Sequence, residues 1–339
     1  MKKLTIHIGY PKTATTSLQL NVFSSLMREG KIEYLNHLNR KDENLGTLYC
    51  GNIIKYVTGM GELKKCQEEL KNLSTIKKEI SIISNENLSI FCDDFTWDNF
   101  NPTAAFNASR IHAVLSEYFD EIKIVMTLRA QKTLIPSFYA QYFKHFDKFN
   151  KKTATLSAWL ENNLASNIAD DDLMFNFDVM YSSYCHFFGE NNIDVLLYED
   201  LKHDKEAFYN QFSKILKIEP DYLAKLLETN IKNKTSNTAS NKLITETPRL
   251  GDILLPYLKS PLKKILPTPL FNMAKQIYKR CFSQLLSSIK TRKIISIDNI
   301  TTDQQLFVQQ RFKQSNINLA KKLGLPLTKF EAYGYLEKQ

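Results

Sequence analysis

A loop of small and hydroxyl-bearing residues follows the first apolar segment of the chain. Residues 10–17, Tyr-Pro-Lys-Thr-Ala-Thr-Thr-Ser, come directly after a strand pattern at 4–8 and precede a helical pattern. Unpaired backbone N–H groups and the helix dipole attract anions at such a position. Lys12 adds a cation, and further donors come from Thr13, Thr15, Thr16 and Ser17. The segment predicts a site for a phosphoryl or sulfuryl group; the alternative is an ordinary helix start capped by threonine.

The loop differs from the loops that bind ATP and GTP. Those loops end in Gly-Lys-Ser or Gly-Lys-Thr, whereas Lys12 stands near the start of this segment. No aspartate suited to hold Mg²⁺ is evident after the following strand patterns. A nucleotide-dependent kinase using the same phosphate loop is the alternative enzyme, and these two features argue against it.

Polar residues also follow the other strand patterns of the chain. Apolar runs at 80–83, 122–128 and 193–197 alternate with helical patterns, as does the run at 4–8. This alternation predicts an α/β fold of three layers, in which helices flank both faces of a parallel sheet. Ligands of such sheets bind beyond the carboxyl ends of the strands. Residues just after these runs are therefore the candidates for function.

The phosphate loop resembles that of a known enzyme family. Pro-Lys-Thr-Ala-Thr-Thr-Ser after Ile-His-Ile-Gly is similar to the 5′-phosphosulfate loop of sulfotransferases that use 3′-phosphoadenosine 5′-phosphosulfate (PAPS). Ala14 stands where the family usually has glycine, which requires a backbone angle that alanine can adopt. The resemblance implies a sulfotransferase fold related to the P-loop nucleotide hydrolases. It also implies that residues 12–17 bind the donor PAPS and the product 3′-phosphoadenosine 5′-phosphate (PAP).

A second motif of the same family lies about 110 residues further along. Arg129 comes directly after the strand pattern at 122–128, and Ser137 follows eight residues later in a helical pattern. The resemblance implies that this pair binds the 3′-phosphate, and a guanidinium can contact two phosphate oxygens at once. A weaker similarity is Tyr-Glu-Asp-Leu at 198–201, where Tyr198 is expected near the adenine or in the core. The Arg-Lys-Gly triplet of cytosolic small-molecule sulfotransferases is absent, so the third contact to the 3′-phosphate is unassigned.

The candidate base is Glu86. Ser-Asn-Glu-Asn-Leu-Ser at 84–89 follows a strand pattern and resembles the segment that carries the base in bacterial and carbohydrate-directed members. The resemblance implies that Glu86 takes the proton of an acceptor hydroxyl and that Lys12 stabilises the leaving oxygen. Asp93 and Asp94 are the other candidates, Glu86 as a solvated turn residue is the structural alternative, and His7 is expected in the core. The expected acceptor is a bacterial glycan or glycolipid.

The net charge of the chain is concentrated in one segment. The protein has 339 residues and a formal net charge of +9. Residues 242–293 hold eleven lysines and arginines against two acidic residues, so this segment accounts for the whole excess. Prolines and apolar residues between the bases predict a helical insertion or subdomain within a single sulfotransferase domain, 1–339. Such a segment can be solvated, can bind an anionic acceptor, or can contact a membrane surface.

Composition also excludes several classes of protein. No apolar run reaches the length of about 18 residues that a membrane span requires, and the start of the chain lacks a signal-peptide pattern. Five scattered cysteines and six scattered histidines form neither a disulfide framework nor a metal motif. We therefore expect a cytoplasmic protein, peripheral at the inner membrane face if 242–293 binds lipid, without a metal and without nucleic acid. A non-catalytic protein that binds anionic polymers or lipids is the alternative from another class.

Overall fold

The computed structural model describes most of the chain, with gaps. The described residues are 2–36, 48–73, 75–89, 103–149, 155–165, 168–169, 173–228, 242–246, 292–296 and 300–338. The chain divides into two units, one formed by Met1–Lys234 and Ile300–Gln339 and the other by Thr235–Asn299.

Strands and helices alternate along the first unit. Its strands are β1 (Lys3–His7), β2 (Glu33–Asn36), β3 (Leu48–Tyr49), β4 (Ile80–Ser84), β5 (Glu121–Leu128) and β6 (Ile193–Leu197). Helix α1 combines Thr15–Ser17, a π-helical stretch at Leu18–Phe23, and Ser24–Arg28. The further helices are α2 (Gly51–Val57), α3 (Leu63–Leu73), α4 (Ala104–Leu115), α5 (Gln131–Phe149), α6 (Leu156–Asn163), α7 (Phe177–Phe188), α8 (Tyr198–His203), α9 (Lys205–Leu216), α10 (Pro220–Glu228), α11 (Thr302–Lys322) and α12 (Leu327–Tyr333). Two one-turn 3₁₀ helices span Glu86–Leu88 and Glu190–Asn192.

The six strands form one parallel sheet in the order β3-β2-β4-β1-β5-β6. Strand β1 is central: His7 pairs with Ser84 of β4 on one side and with Val125 of β5 on the other. Leu128, the last residue of β5, pairs with Leu197, the last of β6. The carboxyl ends of these four strands therefore lie along one edge of the sheet.

The predicted α/β class and the four strands read from the sequence are confirmed. The sequence pattern did not identify β2 and β3, which extend the sheet beyond β4. Strand β3 has only two residues and β2 has four, too few for a hydrophobic period to stand out.

The core lies on both faces of the sheet. On one face, Leu18, Val22 and Leu26 of α1 pack with Phe208 and Phe212 of α9 in a buried cluster that includes Ile82, Val125 and Leu196 of the sheet. On the other face, aromatic rings meet around Phe175, which contacts Tyr10, Phe138 and Trp159. Central parallel strands covered on both sides are apolar throughout, and this burial fixes the strand ends that carry the site.

The described part of the second unit is an antiparallel strand pair. Strands β7 (Lys242–Glu246) and β8 (Arg292–Ser296) pair so that Lys242 lies opposite Ser296 and Glu246 opposite Arg292. The two ends of the basic segment 242–293 therefore lie in strands. Its interior, 247–291, for which the sequence predicts helices, lies outside the described residues.

Candidate active site

Polar residues from β1, β4 and β5 meet at the carboxyl edge of the sheet. The loop after β1 carries Lys12, the turn after β4 carries Glu86, and β5 is followed by Arg129. Arg129 Nη1 donates a hydrogen bond of 3.1 Å to the carbonyl oxygen of Lys12. The charges of Lys12 and Glu86 act on each other. The structure thus brings together the three charged residues that the sequence placed at separate strand ends.

Hydrogen bonds to β5 hold the loop after β1. The N–H of Ile8 donates to the Val125 carbonyl (2.9 Å) and that of Tyr10 to the Thr127 carbonyl (3.2 Å). Within the loop the Thr13 hydroxyl donates to the Tyr10 carbonyl at 2.6 Å. The loop therefore keeps its path because main-chain groups on both sides of it are paired.

Two loop residues other than glycine have left-handed backbone conformations. Lys12 has φ 69° and Ala14 has φ 66°. This conformation costs an L-residue about 1–2 kcal/mol. Ala14, at the position where glycine is usual in the resembling family, does adopt the angle, and the surrounding hydrogen bonds hold it there.

Gly9 allows the loop to pack closely over β1. A Cβ atom at this residue would lie 2.9 Å from Thr13 Oγ1, 3.1 Å from Thr15 Oγ1 and 3.1 Å from His7 Nε2. These distances are shorter than ordinary carbon–oxygen and carbon–nitrogen contacts, so a side chain at Gly9 would displace the threonine hydroxyls. The glycine is needed for close approach and not for an unusual backbone angle.

The loop hydroxyls face two directions. Thr13 and Thr15 are buried, and their Oγ1 atoms are 3.4 Å apart. Thr15 also hydrogen-bonds the Glu86 carboxylate. Lys12, Thr16 and Ser17 are exposed. The side chains of Thr13 and Thr15 therefore have partners inside the protein, whereas Lys12, Thr16 and Ser17 face the surface.

The turn that carries Glu86 is fixed by its neighbours. Asn85 donates its N–H to the His7 carbonyl at 3.0 Å, and its Oδ1 accepts the N–H of Asn87 at 2.8 Å. The Leu88 carbonyl accepts hydrogen bonds from Asn107 Nδ2 (3.2 Å) and the Tyr184 hydroxyl (2.7 Å). The main chain at Glu86 is therefore tied to β1, α4 and α7.

Partial burial raises the pKa of Glu86 above its usual value, while the hydrogen bond from Thr15 and the charge of Lys12 oppose the shift. Desolvation lowers the pKa of Lys12; Glu86 opposes that shift and the Arg129 charge adds to it. A carboxylate with increased proton affinity beside a lysine suits general-base catalysis next to a developing negative charge.

Arg129 is oriented by Thr133, which is not among the residues that the sequence predicts for the site. Arg129 Nε donates to Thr133 Oγ1 at 3.0 Å. Ser137, the predicted partner of Arg129, donates its hydroxyl to the Thr133 carbonyl at 2.9 Å. Thr133 thus stands between them at steps of four residues, the spacing that puts side chains on one helix face. The four-residue spacing is the sequence feature from which a role for Thr133 could have been predicted.

The carboxylates after β6 bind the carboxyl-terminal segment. Glu199 accepts hydrogen bonds from the Ala130 N–H (3.0 Å) and the Tyr335 hydroxyl (2.9 Å). Asp200 forms an ion pair of 2.8 Å with Lys329 and accepts the Tyr333 hydroxyl at 2.6 Å. These acids hold α12 and the residues after it against the site edge. The preceding Tyr198 lies under Arg129, whose Cζ is 5.0 Å from the ring centroid.

His7 is fully buried, as expected of a core residue. Its Nδ1 and Nε2 form hydrogen bonds of 2.8 Å with Ser84 Oγ and Thr127 Oγ1, so the ring ties β1 to β4 and β5. Desolvation lowers its pKa to about 3, which keeps the imidazole neutral. Asp93 and Asp94, the other candidate bases, lie outside the described residues.

The described ranges contain no group of three or more His, Cys, Asp or Glu side chains arranged to hold a metal ion. None of their helices is both long enough and apolar enough to cross a membrane.

Comparison with known proteins gives matches among solved structures alone. No protein-family model matches the sequence, and no curated protein matches it. Mouse sulfotransferase SULT7A1 complexed with PAP is 15% identical, with 71% of this chain and 68% of that chain covered and a TM-score of 0.39. A sulfotransferase from Alicyclobacillus acidocaldarius is 12% identical, with 65% and 83% covered and a TM-score of 0.39. The sulfotransferase domain from the curacin biosynthetic pathway is 12% identical, with 65% and 75% covered and a TM-score of 0.34. Similarity at this level does not assign a function, which depends on the residues at the sheet edge.

Proposed function

We propose that the protein is a sulfotransferase that moves a sulfuryl group from PAPS to a hydroxyl of an acceptor. One observation carries the proposal: a phosphate-type loop with Lys12, the carboxylate of Glu86 and the guanidinium of Arg129 converge on one edge of the sheet. These are a site for the transferring group, a proton acceptor and a second anion site.

The residues at this edge suit the donor. Lys12, Thr16 and Ser17 are exposed in the loop and would hold the 5′-phosphosulfate, together with loop N–H groups such as those of Thr13 and Ala14. Arg129 would hold the 3′-phosphate, with Ser137 two helical turns further along. When bound, PAPS supplies an activated sulfuryl group and a phosphate leaving group.

In this proposal Glu86 accepts the proton of the acceptor hydroxyl as that oxygen forms its bond to sulfur. Thr15 keeps the carboxylate beside the loop through its hydrogen bond. The Lys12 ammonium stabilises the negative charge that develops on the phosphate oxygen as its bond to sulfur breaks. The pKa of Glu86 is raised and that of Lys12 is lowered. Both pKa values therefore lie closer to neutral pH than those of ordinary glutamate and lysine side chains.

For the acceptor we propose a bacterial glycan or glycolipid. Support comes from Glu86 at the base position, which resembles carbohydrate-directed members, and from the basic segment 242–293, which carries the whole excess charge of the chain. The donor-site cations Lys12 and Arg129 lie outside that segment. The excess charge is therefore available to contact an anionic acceptor, or a membrane surface that presents one.

Titration calorimetry with PAP in the presence of EDTA tests the proposed function. We expect micromolar binding without Mg²⁺ and weaker binding of adenosine 5′-monophosphate, which lacks the 3′-phosphate. Binding of ATP that requires Mg²⁺ would instead support the kinase. Failure to bind either nucleotide would overturn both enzyme assignments and favour a non-catalytic protein that binds anionic polymers or lipids.

A further inference from the structure

Tyr198 is approached by two cations at the carboxyl end of β6. Arg129 Cζ lies 5.0 Å from the ring centroid and Lys202 Nζ lies 4.8 Å from it. Lys202 follows Tyr198 by four residues in α8, so the two side chains share one face of that helix. Lys202 is exposed and Tyr198 is half-buried. The aromatic ring is therefore a shared neighbour of an arginine that follows β5 and a lysine of α8.

The two carboxylates of α8, Glu199 and Asp200, form no ion pair with these cations, although the charge of Glu199 favours the charged form of Arg129. Glu199 is used by the Ala130 N–H and the Tyr335 hydroxyl, and Asp200 by Lys329 and Tyr333. Within the described part of the chain, neither Arg129 nor Lys202 belongs to an ion pair. An anion bound beside the ring would be attracted to both cations.

The available hydrogen-bond donors point to a phosphate. Arg129 uses Nε for Thr133 and Nη1 for the Lys12 carbonyl, and among the described residues its Nη2 has no hydrogen-bond partner. Lys202 Nζ has three donors on a flexible stem. A phosphate monoester has three terminal oxygens and can accept from both side chains.

We propose that Lys202 is a further donor-binding residue that contacts the same 3′-phosphate as Arg129. This assignment rests on the proposed function, because it takes PAP and PAPS as the ligands. Lys202 fills the contact that the sequence left unassigned, and it does so from the helix after β6. Tyr198 then acts as a positioning residue that holds both cations.

The test compares wild type, Lys202→Met, Lys202→Arg and Lys214→Met by calorimetry with PAP and with adenosine 5′-phosphosulfate, which lacks the 3′-phosphate. Lys214 is an exposed lysine of α9, so Lys214→Met makes the same change of charge elsewhere. We expect Lys202→Met to weaken PAP binding about tenfold, as for loss of one charged hydrogen bond. Adenosine 5′-phosphosulfate should bind equally to all four proteins, and Lys202→Arg should keep most of the PAP affinity.

Two outcomes would overturn the assignment of Lys202 alone: PAP binding by Lys202→Met equal to that of Lys214→Met, or equal weakening of both nucleotides. If the wild type fails to bind PAP, the proposed function fails and the assignment fails with it. Thermal melting of each variant checks that the fold is retained, and Lys202→Arg provides a second measurement if Lys202→Met is unstable.

Discussion

The site edge has two halves that are built differently. In the β1/β4 half, the loop of Lys12 and the turn of Glu86 are fixed by buried hydrogen bonds, with Gly9 packed against threonine hydroxyls. In the β5/β6 half, Arg129 and Lys202 are at least partly exposed and are gathered around the ring of Tyr198. In the β1/β4 half the backbone is fixed, whereas the β5/β6 half presents long cationic side chains beside the buried carboxylates Glu199 and Asp200.

The difference suits the two proposed roles, proton transfer in the β1/β4 half and anion binding in the β5/β6 half. Proton transfer depends steeply on the position of the base relative to the reacting atoms, which favours the rigid half. Anion binding through long cations tolerates small movements, because charge attraction falls slowly with distance. We therefore expect substitutions in the β1/β4 half to reduce turnover and those in the β5/β6 half to reduce affinity for the donor.

The largest effect is expected for Glu86→Gln. Loss of the base should reduce sulfuryl transfer about 10³-fold, within the range typical of general-base catalysis, while PAP still binds. Lys12→Ala should also abolish transfer of labelled sulfate from PAPS. Glu68→Gln, at an exposed position of α3, is the control and should be fully active. Near-normal turnover by Glu86→Gln would remove the base assignment and the contrast between the halves.

The same residue sets the expected pH dependence. Glu86 must be ionised to accept a proton, and its pKa is raised from 4.5 by desolvation. The rate should therefore fall as the pH decreases through this raised pKa, at a higher pH than for an ordinary glutamate. The pH profile of kcat/KM at fixed ionic strength measures the pH at which this fall occurs.

Arg129→Ala is expected to have the next largest effect, on affinity. Loss of hydrogen bonds from a charged donor, about 2–3 kcal/mol, should raise the dissociation constant of PAP about 50-fold. At saturating donor, kcat should change little. Arg28→Ala, an exposed arginine at the end of α1, controls for the loss of charge. A fall in kcat as large as that of Glu86→Gln would break the division between a catalytic and a binding half.

His7 makes the rigid half sensitive to acid. Its pKa is about 3 in the folded protein against 6.5 in the unfolded chain, so the unfolded state binds more protons. The stability from His7 is complete above about pH 6.5 and is lost progressively as the pH falls towards 3. Between pH 7 and pH 5 the wild type should lose about 2 kcal/mol more than His7→Gln. Urea unfolding at both pH values measures this, and equal losses would show that His7 is not responsible.

The smallest effect is expected for Ala14→Gly. Glycine removes the cost of the left-handed angle at φ 66°, which is about 1–2 kcal/mol. It also increases the conformational entropy of the unfolded chain, which lowers the free energy of unfolding by about 0.4–1 kcal/mol. A net stabilisation of about 0.5 kcal/mol should follow from these opposing terms. The control is Ala113→Gly at an exposed position in the last turn of α4, which should destabilise by up to about 1 kcal/mol. A loss of stability in both variants would contradict the strained angle.

Local sequence patterns determined the α/β class of the protein and the positions of its central strands. The apolar runs of β1, β4, β5 and β6 and the helical repeats between them predicted a parallel sheet, and they placed Lys12, Glu86 and Arg129 just after strands. These features are encoded in neighbouring residues, because strand and helix periods depend on sequence spacing. The catalytic and binding roles of the three residues remain predictions.

The tertiary structure alone decided which groups face which. It turned Thr13 and Thr15 inward, joined Arg129 to the Lys12 carbonyl, and brought Arg129 to the ring of Tyr198. It also tied Glu199 to Tyr335, residues 136 positions apart. Such pairs have no local signature, because they form only when packing brings distant segments together. The sequence thus determined where along the chain the chemistry lies, and the folded structure decided how its groups are held.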